Sequence, residues 1–176
     1  MALIAPLLAV TITSFLAIIL ARAAWHKADR FLETVGFAQG YGLVPDHWAA
    51  PIIRALTVIE TLAVLALLAP PLRPLGSAMA AALFAGYGLL MAVALLNGRD
   101  RIDCGCGGAP QIVSRFTLLR NVVLTALALC LLVLPAATVP ALDAACAILA
   151  ALVLTAIYAV LEKLSSHLPN IRQGDI

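Results

Sequence analysis

The chain has 176 residues, of which 64% are hydrophobic and 11% charged, with a formal net charge of +2. A soluble domain of this length carries about 25% charged residues, so the composition excludes an ordinary soluble globular protein and points to the membrane. The basic residues are too few and too scattered to build a nucleic-acid-binding surface.

A bilayer core asks for about 20 apolar residues per helix. Five stretches meet that length, and backbone groups in lipid must pair within their own segment, so each reads as a helix. The first span runs about Leu3–Ala23. No basic residue precedes it, and it is longer than a secretory apolar core, so it is expected to be a retained helix. Residues 24–47 follow as a polar connection with His26, Lys27, Asp29, Arg30, Glu33, Asp46 and His47. Within it Phe31, Leu32 and Val35 share a helical face, which predicts a short helix lying in the interface.

The second span is about Trp48–Ala69, with Glu60 near its middle. A carboxyl group at that depth is costly and marks a functional candidate. It can ferry a proton, hold a basic residue from another helix, or stay protonated. Arg54 is off its helical face, so Arg22 and Arg120 are the expected partners. Pro70, Pro71 and Pro74 then break the chain before the third span, Leu75–Leu96. Its small residues Ala81, Ala85 and Gly88 favour close helix approach.

Residues 97–115 form the second long polar connection. It contains Asp103-Cys104-Gly105-Cys106-Gly107-Gly108, flanked by Arg99, Arg101 and Arg115. Thiols at i and i+2 can join only through an unusual backbone, which glycine tolerates. Such a ring is strained, and strained exposed disulfides tend to be catalytic or regulatory. The arginines favour a thiolate, whereas Asp100 and Asp103 oppose it. Cys104 and Cys106 are therefore the candidate exchanging pair. The same thiols also suit zinc or Cu(I). His26 and His47 on the same side make a mixed Cys/His site conceivable, although neither has a recognisable ligand spacing.

The fourth span, Phe116–Leu134, opens with Arg120 and Asn121 one turn inside. Arg120 can snorkel to the surface, hold the cysteine loop, or present its charge to a thiolate or a quinone oxygen. Pro135 and Pro140 bracket a short link to the fifth span, Leu142–Leu164. Cys130 and Cys146 lie roughly 6–8 Å inside the facing ends of these two helices. They are expected to be small buried hydrophobes. The alternative is a second thiol pair, roughly 20 Å from the first, in which case a quinone or a movement would have to carry electrons between them. Trp25, Tyr41 and Trp48 read as interfacial anchors.

The expected fold is thus all-α: a single membrane domain over residues 1–176, with five transmembrane helices and the Cys-Gly-Cys loop between the third and fourth. Every basic residue except Arg73 falls on the side of the two long connections. The positive-inside rule then puts the N-terminus outside and the cysteine loop in the cytoplasm.

Several of these features together resemble the MauE family, within the wider DoxX-like membrane proteins. In chain order they are Arg22…Lys27, Gly42-Leu43-Val44-Pro45, Arg54 with Glu60, and Leu95-Leu96-Asn97-Gly98-Arg99. Asp103-Cys104-Gly105-Cys106-Gly107-Gly108 and Leu118-Leu119-Arg120-Asn121 complete the set. The resemblance covers about residues 10–135. It implies a multi-pass protein of the bacterial inner (cytoplasmic) membrane, associated with methylamine utilisation. It further implies maturation of the disulfide-rich small subunit of methylamine dehydrogenase, a periplasmic client, with a thioredoxin-like MauD partner. On that reading Cys104 and Cys106 form a redox-active disulfide, Arg120 and Asn121 support the loop, and Glu60 is a buried polar element. A periplasmic redox role conflicts with the cytoplasmic loop that the charge count favours. The other readings are a soft-metal binding or transport protein and a non-catalytic assembly scaffold.

Overall fold

A computed structural model describes residues 4–40, 42, 45–97, 114–135 and 139–171, with side chains to residue 165. Asp103, Cys104 and Cys106 lie outside the described residues, as do Tyr41, Arg99, Arg101 and Gly107.

The described residues form six α-helices: α1 (Ile4–Asp29), α2 (Phe31–Gly40), α3 (Asp46–Leu68), α4 (Arg73–Leu96), α5 (Arg115–Val133) and α6 (Ala141–Ile171). A 3₁₀ turn, Pro70–Leu72, links α3 to α4. Among the described residues five segments are long and apolar enough to cross a bilayer: Ile4–Asp29, Asp46–Leu68, Pro70–Leu96, Arg115–Val133 and Ala141–Ser165. These are the five expected spans, with α2 as the short additional helix.

The first span continues to Asp29 rather than stopping at Ala23. An apolar-run criterion ends at the first charges. The helix itself continues because Lys27 is buried and its charge is matched by a partner. The short helix is also present, but turned. Its buried residue is Thr34, and Leu32 is 81% exposed. Thr34 satisfies its hydroxyl on the Arg30 carbonyl at 3.0 Å, so a small polar side chain can sit inward. Phe31 is held from α3, where the Arg54 guanidinium lies 5.2 Å from its ring. Beyond α2, Gly42 adopts φ 60°, the left-handed region that glycine enters without steric cost.

Leu16, Leu20, Ala63, Leu67, Ala80, Met91, Ala128, Leu131 and Ala151 are among the buried residues of the core. Many are alanine, which lets helices approach closely where the hydrophobic effect does not drive them together. At the α3–α4 hairpin the approach is so tight that a Cβ on Gly76 would overlap the backbone nitrogen of Leu67. Large apolar side chains such as Leu62, Leu65, Leu89, Val122, Leu152 and Val160 point outward, the arrangement suited to a hydrocarbon solvent.

α5 packs along α4, and α6 along α1. α5 and α6 scarcely touch each other, despite the short link between them. At the C-terminal end of α5, Arg73 donates to the carbonyls of Leu134, at 2.5 Å, and Pro135, at 3.3 Å. A cation there satisfies the open carbonyls at the C-terminus of α5.

Candidate functional site

Among the described residues the interior of the bundle contains two clusters of ionisable side chains. The first joins α1, α3 and α4. Lys27 Nζ donates to Glu60 Oε1 at 2.9 Å, and Tyr87 Oη donates to the same oxygen at 2.6 Å. The ammonium also lies 5.2 Å from the centre of the Tyr87 ring. Side-chain exposure is 2% for Lys27 and 0% for Glu60. A lone charge at this depth is expensive. Two opposite charges and a phenol hydrogen bond make it tolerable, and they tie three helices together.

Glu60 therefore holds a basic residue from another helix, one of the three roles its position allowed. The partner is Lys27, not Arg22 or Arg120. Lys27 lies past the apolar run of the first span and reads in sequence as part of a polar connection. Only the continuation of α1 places it inside. Tyr87, a lone phenol in an alanine-rich span, gives no local sign of its role either.

The second cluster joins α1, α5 and α6. Arg22 Nη1 lies 2.7 Å from Glu162 Oε2, and Arg120 Nη1 lies 3.6 Å from Glu162 Oε1. Arg120 does not snorkel to the surface. Its side chain is 7% exposed and that of Glu162 is 3% exposed. The Arg120 guanidinium lies 6.0 Å from the Tyr158 ring, which meets Phe15 edge-on at 6.1 Å. Glu162 was not singled out in sequence. It is the acid of the second half of the fifth span, which is the signal that could have found it.

Asn121 sits between the two clusters. Its Nδ2 donates to the Thr117 carbonyl at 2.9 Å and approaches Met91 Sδ at 3.4 Å. A Cβ on Gly88 would touch its side chain at 3.4 Å, so the small residue on α4 makes room for the amide. A narrow cavity bordered by Glu60, Tyr87, Arg120, Asn121 and Tyr158 separates the clusters. Glu60 Oε2 is buried without a hydrogen-bond partner among the described residues. Three sequence-selected residues, Glu60, Arg120 and Asn121, are thus brought around one interior space.

The start of α5 is fixed by a capping box. The Thr117 N–H donates to Ser114 Oγ at 3.3 Å, and the Ser114 N–H donates to Thr117 Oγ1 at 2.9 Å. These bonds satisfy open amides of the first turn. They set where the helix begins after residues 98–113, and hence the inward position of Arg120 and Asn121 one turn later.

Cys130 and Cys146 are free and exposed. The expectation of two buried small hydrophobes does not hold. The antiparallel contact that would bring them together is also missing, because α6 packs on α1 instead. Trp25 and Trp48 are largely exposed, as interfacial anchors would be. His47 lies beside Trp48 with ring centres 5.9 Å apart. Among the described residues no three His, Cys, Asp or Glu side chains converge as a metal site would require.

The family model for the methylamine utilisation protein MauE matches residues 5–134, from α1 to the end of α5. The methylamine utilization protein MauE of Paracoccus denitrificans is 36% identical over 141 residues, covering 79% of this chain and 76% of its own. That of Methylophilus methylotrophus is 38% identical over 135 residues, covering 77% and 70%. That of Paracoccus versutus is 37% identical over 126 residues, covering 70% and 68%. No solved structure matches. The matched segment contains Lys27, Glu60, Tyr87, the Cys-Gly-Cys motif, Arg120 and Asn121; α6, with Glu162, lies beyond it. With most of its length matched both by the family model and by these relatives, the chain belongs to the MauE family.

Proposed function

We propose that this is an accessory membrane protein of methylamine utilisation that acts by thiol–disulfide exchange. The observation that carries the proposal is the Cys104-Gly105-Cys106 motif in the segment leading into the capped start of α5. Vicinal thiols contribute little to packing, and their chemistry usually decides whether they are kept. A thiolate of the pair attacks, or is attacked by, a partner cysteine. The mixed disulfide is then resolved by the second thiol. The partner is a thioredoxin-like protein and the client a disulfide-rich periplasmic protein, as the family resemblance implies. The client in the family is the small subunit of methylamine dehydrogenase.

Arg120 and Asn121 anchor the first turns of α5, which follow the motif in the chain. Lys27, Glu60 and Tyr87 hold α1, α3 and α4 in register around them. Neither cluster is assigned a chemical step in this proposal.

We place the protein in the bacterial inner membrane. Lys27, Arg22 and Arg120 are committed to ion pairs, so they carry little weight as topology signals. Arg30, Arg54, Arg99, Arg101, Arg115, Lys163 and Arg172 still favour a cytoplasmic cysteine segment. In that orientation the pair would exchange with cytoplasmic thiols and pass electrons outward.

The test is mixed-disulfide trapping in cells. Cys104→Ser and Cys106→Ser variants are expected to insert in the membrane normally. The variant that retains the attacking thiol should accumulate an adduct with a thioredoxin-like protein. The double variant should accumulate none and should fail to support growth on methylamine. Full growth of the double variant rejects the proposal. Stoichiometric zinc or copper that is lost in the same variant would instead select the soft-metal reading.

A further inference from the structure

We propose that the cavity between the two ionisable clusters binds a single water molecule, which links Glu60 on α3 to Asn121 on α5. The Glu60 carboxylate is used unevenly. Its Oε1 accepts from both Lys27 Nζ, at 2.9 Å, and Tyr87 Oη, at 2.6 Å. Its Oε2 is buried and has no hydrogen-bond partner among the described residues. A bare oxygen on a charged group costs more in the interior than one on a neutral group. An ordered water is a common reason why such a group persists.

Size and polarity select the occupant. The cavity offers about 10 Å³ to water-sized spheres, and a single water needs about 10–15 Å³. Nothing larger fits. Part of the wall is polar, whereas cavities that stay dry are apolar. Glu60 and Asn121 border the space from α3 and α5. Asn121 Nδ2 is turned to the Thr117 carbonyl, at 2.9 Å, and to Met91 Sδ, at 3.4 Å. The amide oxygen is left as an acceptor. Two acceptors cannot bond each other, but a molecule with two O–H donors serves both, one to Glu60 Oε2 and one to Asn121 Oδ1. The terminal torsion of a glutamate is soft, so Oε2 turns to the water by a small rotation. A metal cation is the poorer occupant. The Lys27 ammonium already neutralises the carboxylate and repels a second positive charge at close range.

α3 and α5 scarcely touch each other. The water is therefore the polar connection between Glu60 and the helix that follows the Cys-Gly-Cys motif. The site does not draw on thiol exchange and stands or falls separately from it.

The experiment is oxygen-17 magnetic relaxation dispersion on the full chain in detergent micelles. It counts waters held inside a protein, and the oxygen nucleus does not follow exchange of the Lys27 and Tyr87 protons. Ala23 lines the cavity from α1. Ala23→Val fills the space, so the count should fall by one water, and the unfolding midpoint should drop because Oε2 is left bare. The Lys27→Met/Glu60→Leu double variant removes the acceptor together with its partner charge and should lose the same water. Ala82→Val, at an exposed position of α4, should leave the count unchanged. An unchanged count in Ala23→Val overturns the site. A higher midpoint in Ala23→Val also overturns it, since filling a dry void stabilises. Should Ala23→Val fail to fold, the double variant decides, and retention of the water there overturns the site.

Discussion

Lys27 on α1 and Glu60 on α3 meet 2.9 Å apart in the closed interior of the bundle. The Tyr87 hydroxyl of α4 donates to the same carboxylate oxygen, so a single atom links three of the spanning helices. The energetics of this contact differ from those of a surface pair. Two buried charges cost a large desolvation energy that their attraction offsets only as a pair, so losing either partner is worse than losing both.

That asymmetry is measurable. Lys27→Met and Glu60→Leu, each alone, should destabilise the folded protein by about 3–5 kcal/mol. The double variant should be more stable than either single variant. Thermal unfolding in detergent for the four proteins of the double-mutant cycle gives the coupling directly. Additive losses would show that the pair does not act as a unit.

The second cluster predicts an order rather than a single value. Glu162 faces two guanidiniums, so Glu162→Leu leaves the buried Arg120 without its carboxylate. Arg22 is partly exposed and can be rehydrated, so Arg22→Ala should cost least. Unfolding midpoints should fall in the order Arg22→Ala, then Arg120→Leu and Glu162→Leu. A result in which Arg22→Ala is the most damaging would contradict the assigned burial.

Gly76 is placed to test the α3–α4 hairpin. Any side chain there meets the backbone of Ala66 and Leu67, which cannot move aside as a flexible side chain can. Gly76→Ala should destabilise by about 1–3 kcal/mol or more. At Gly36 in α2 an added methyl group would find nothing within 4 Å, and Gly36→Ala should be neutral or stabilising by about 0.5–1 kcal/mol. Proteolysis midpoints of the two variants in membranes provide the comparison.

Thiol chemistry should separate the four cysteines cleanly. Cys130 and Cys146 are exposed on helices that do not pack together. Serine at either position should change stability by no more than about 0.5 kcal/mol and leave mixed-disulfide trapping intact. Serine at Cys104 or Cys106 should alter trapping without altering the unfolding midpoint. Trapping lost in Cys130→Ser would return the second pair to consideration.

Membrane insertion, the five spans and the short extra helix are legible in the sequence because each follows from local quantities. An apolar run of sufficient length must be helical in lipid, and prolines or charges end it. Glu60, Arg120 and Asn121 could be selected the same way, since a polar group inside an apolar run stands out in one dimension. Their partners could not. Lys27 lies among the charges that follow the first span, and nothing local distinguishes it from Arg30, which pairs with the neighbouring exposed Glu33 at 3.2 Å.

The link between α5 and α6 shows the same limit from the other direction. A short connection suggests adjacent antiparallel helices, and that expectation pairs Cys130 with Cys146. The chain instead lays α6 against α1, where the Arg22–Glu162 ion pair and the Phe15–Tyr158 contact hold it.

Composition and span length alone were enough to place this chain in a bilayer, count its crossings and single out its vicinal thiols. Which charges neutralise one another, which helix faces are left open to lipid, and where a cleft forms were decided only by packing. Burial depth and charge pairing depend on how helices distant in sequence are rotated about their axes and set in height, and no local pattern encodes either.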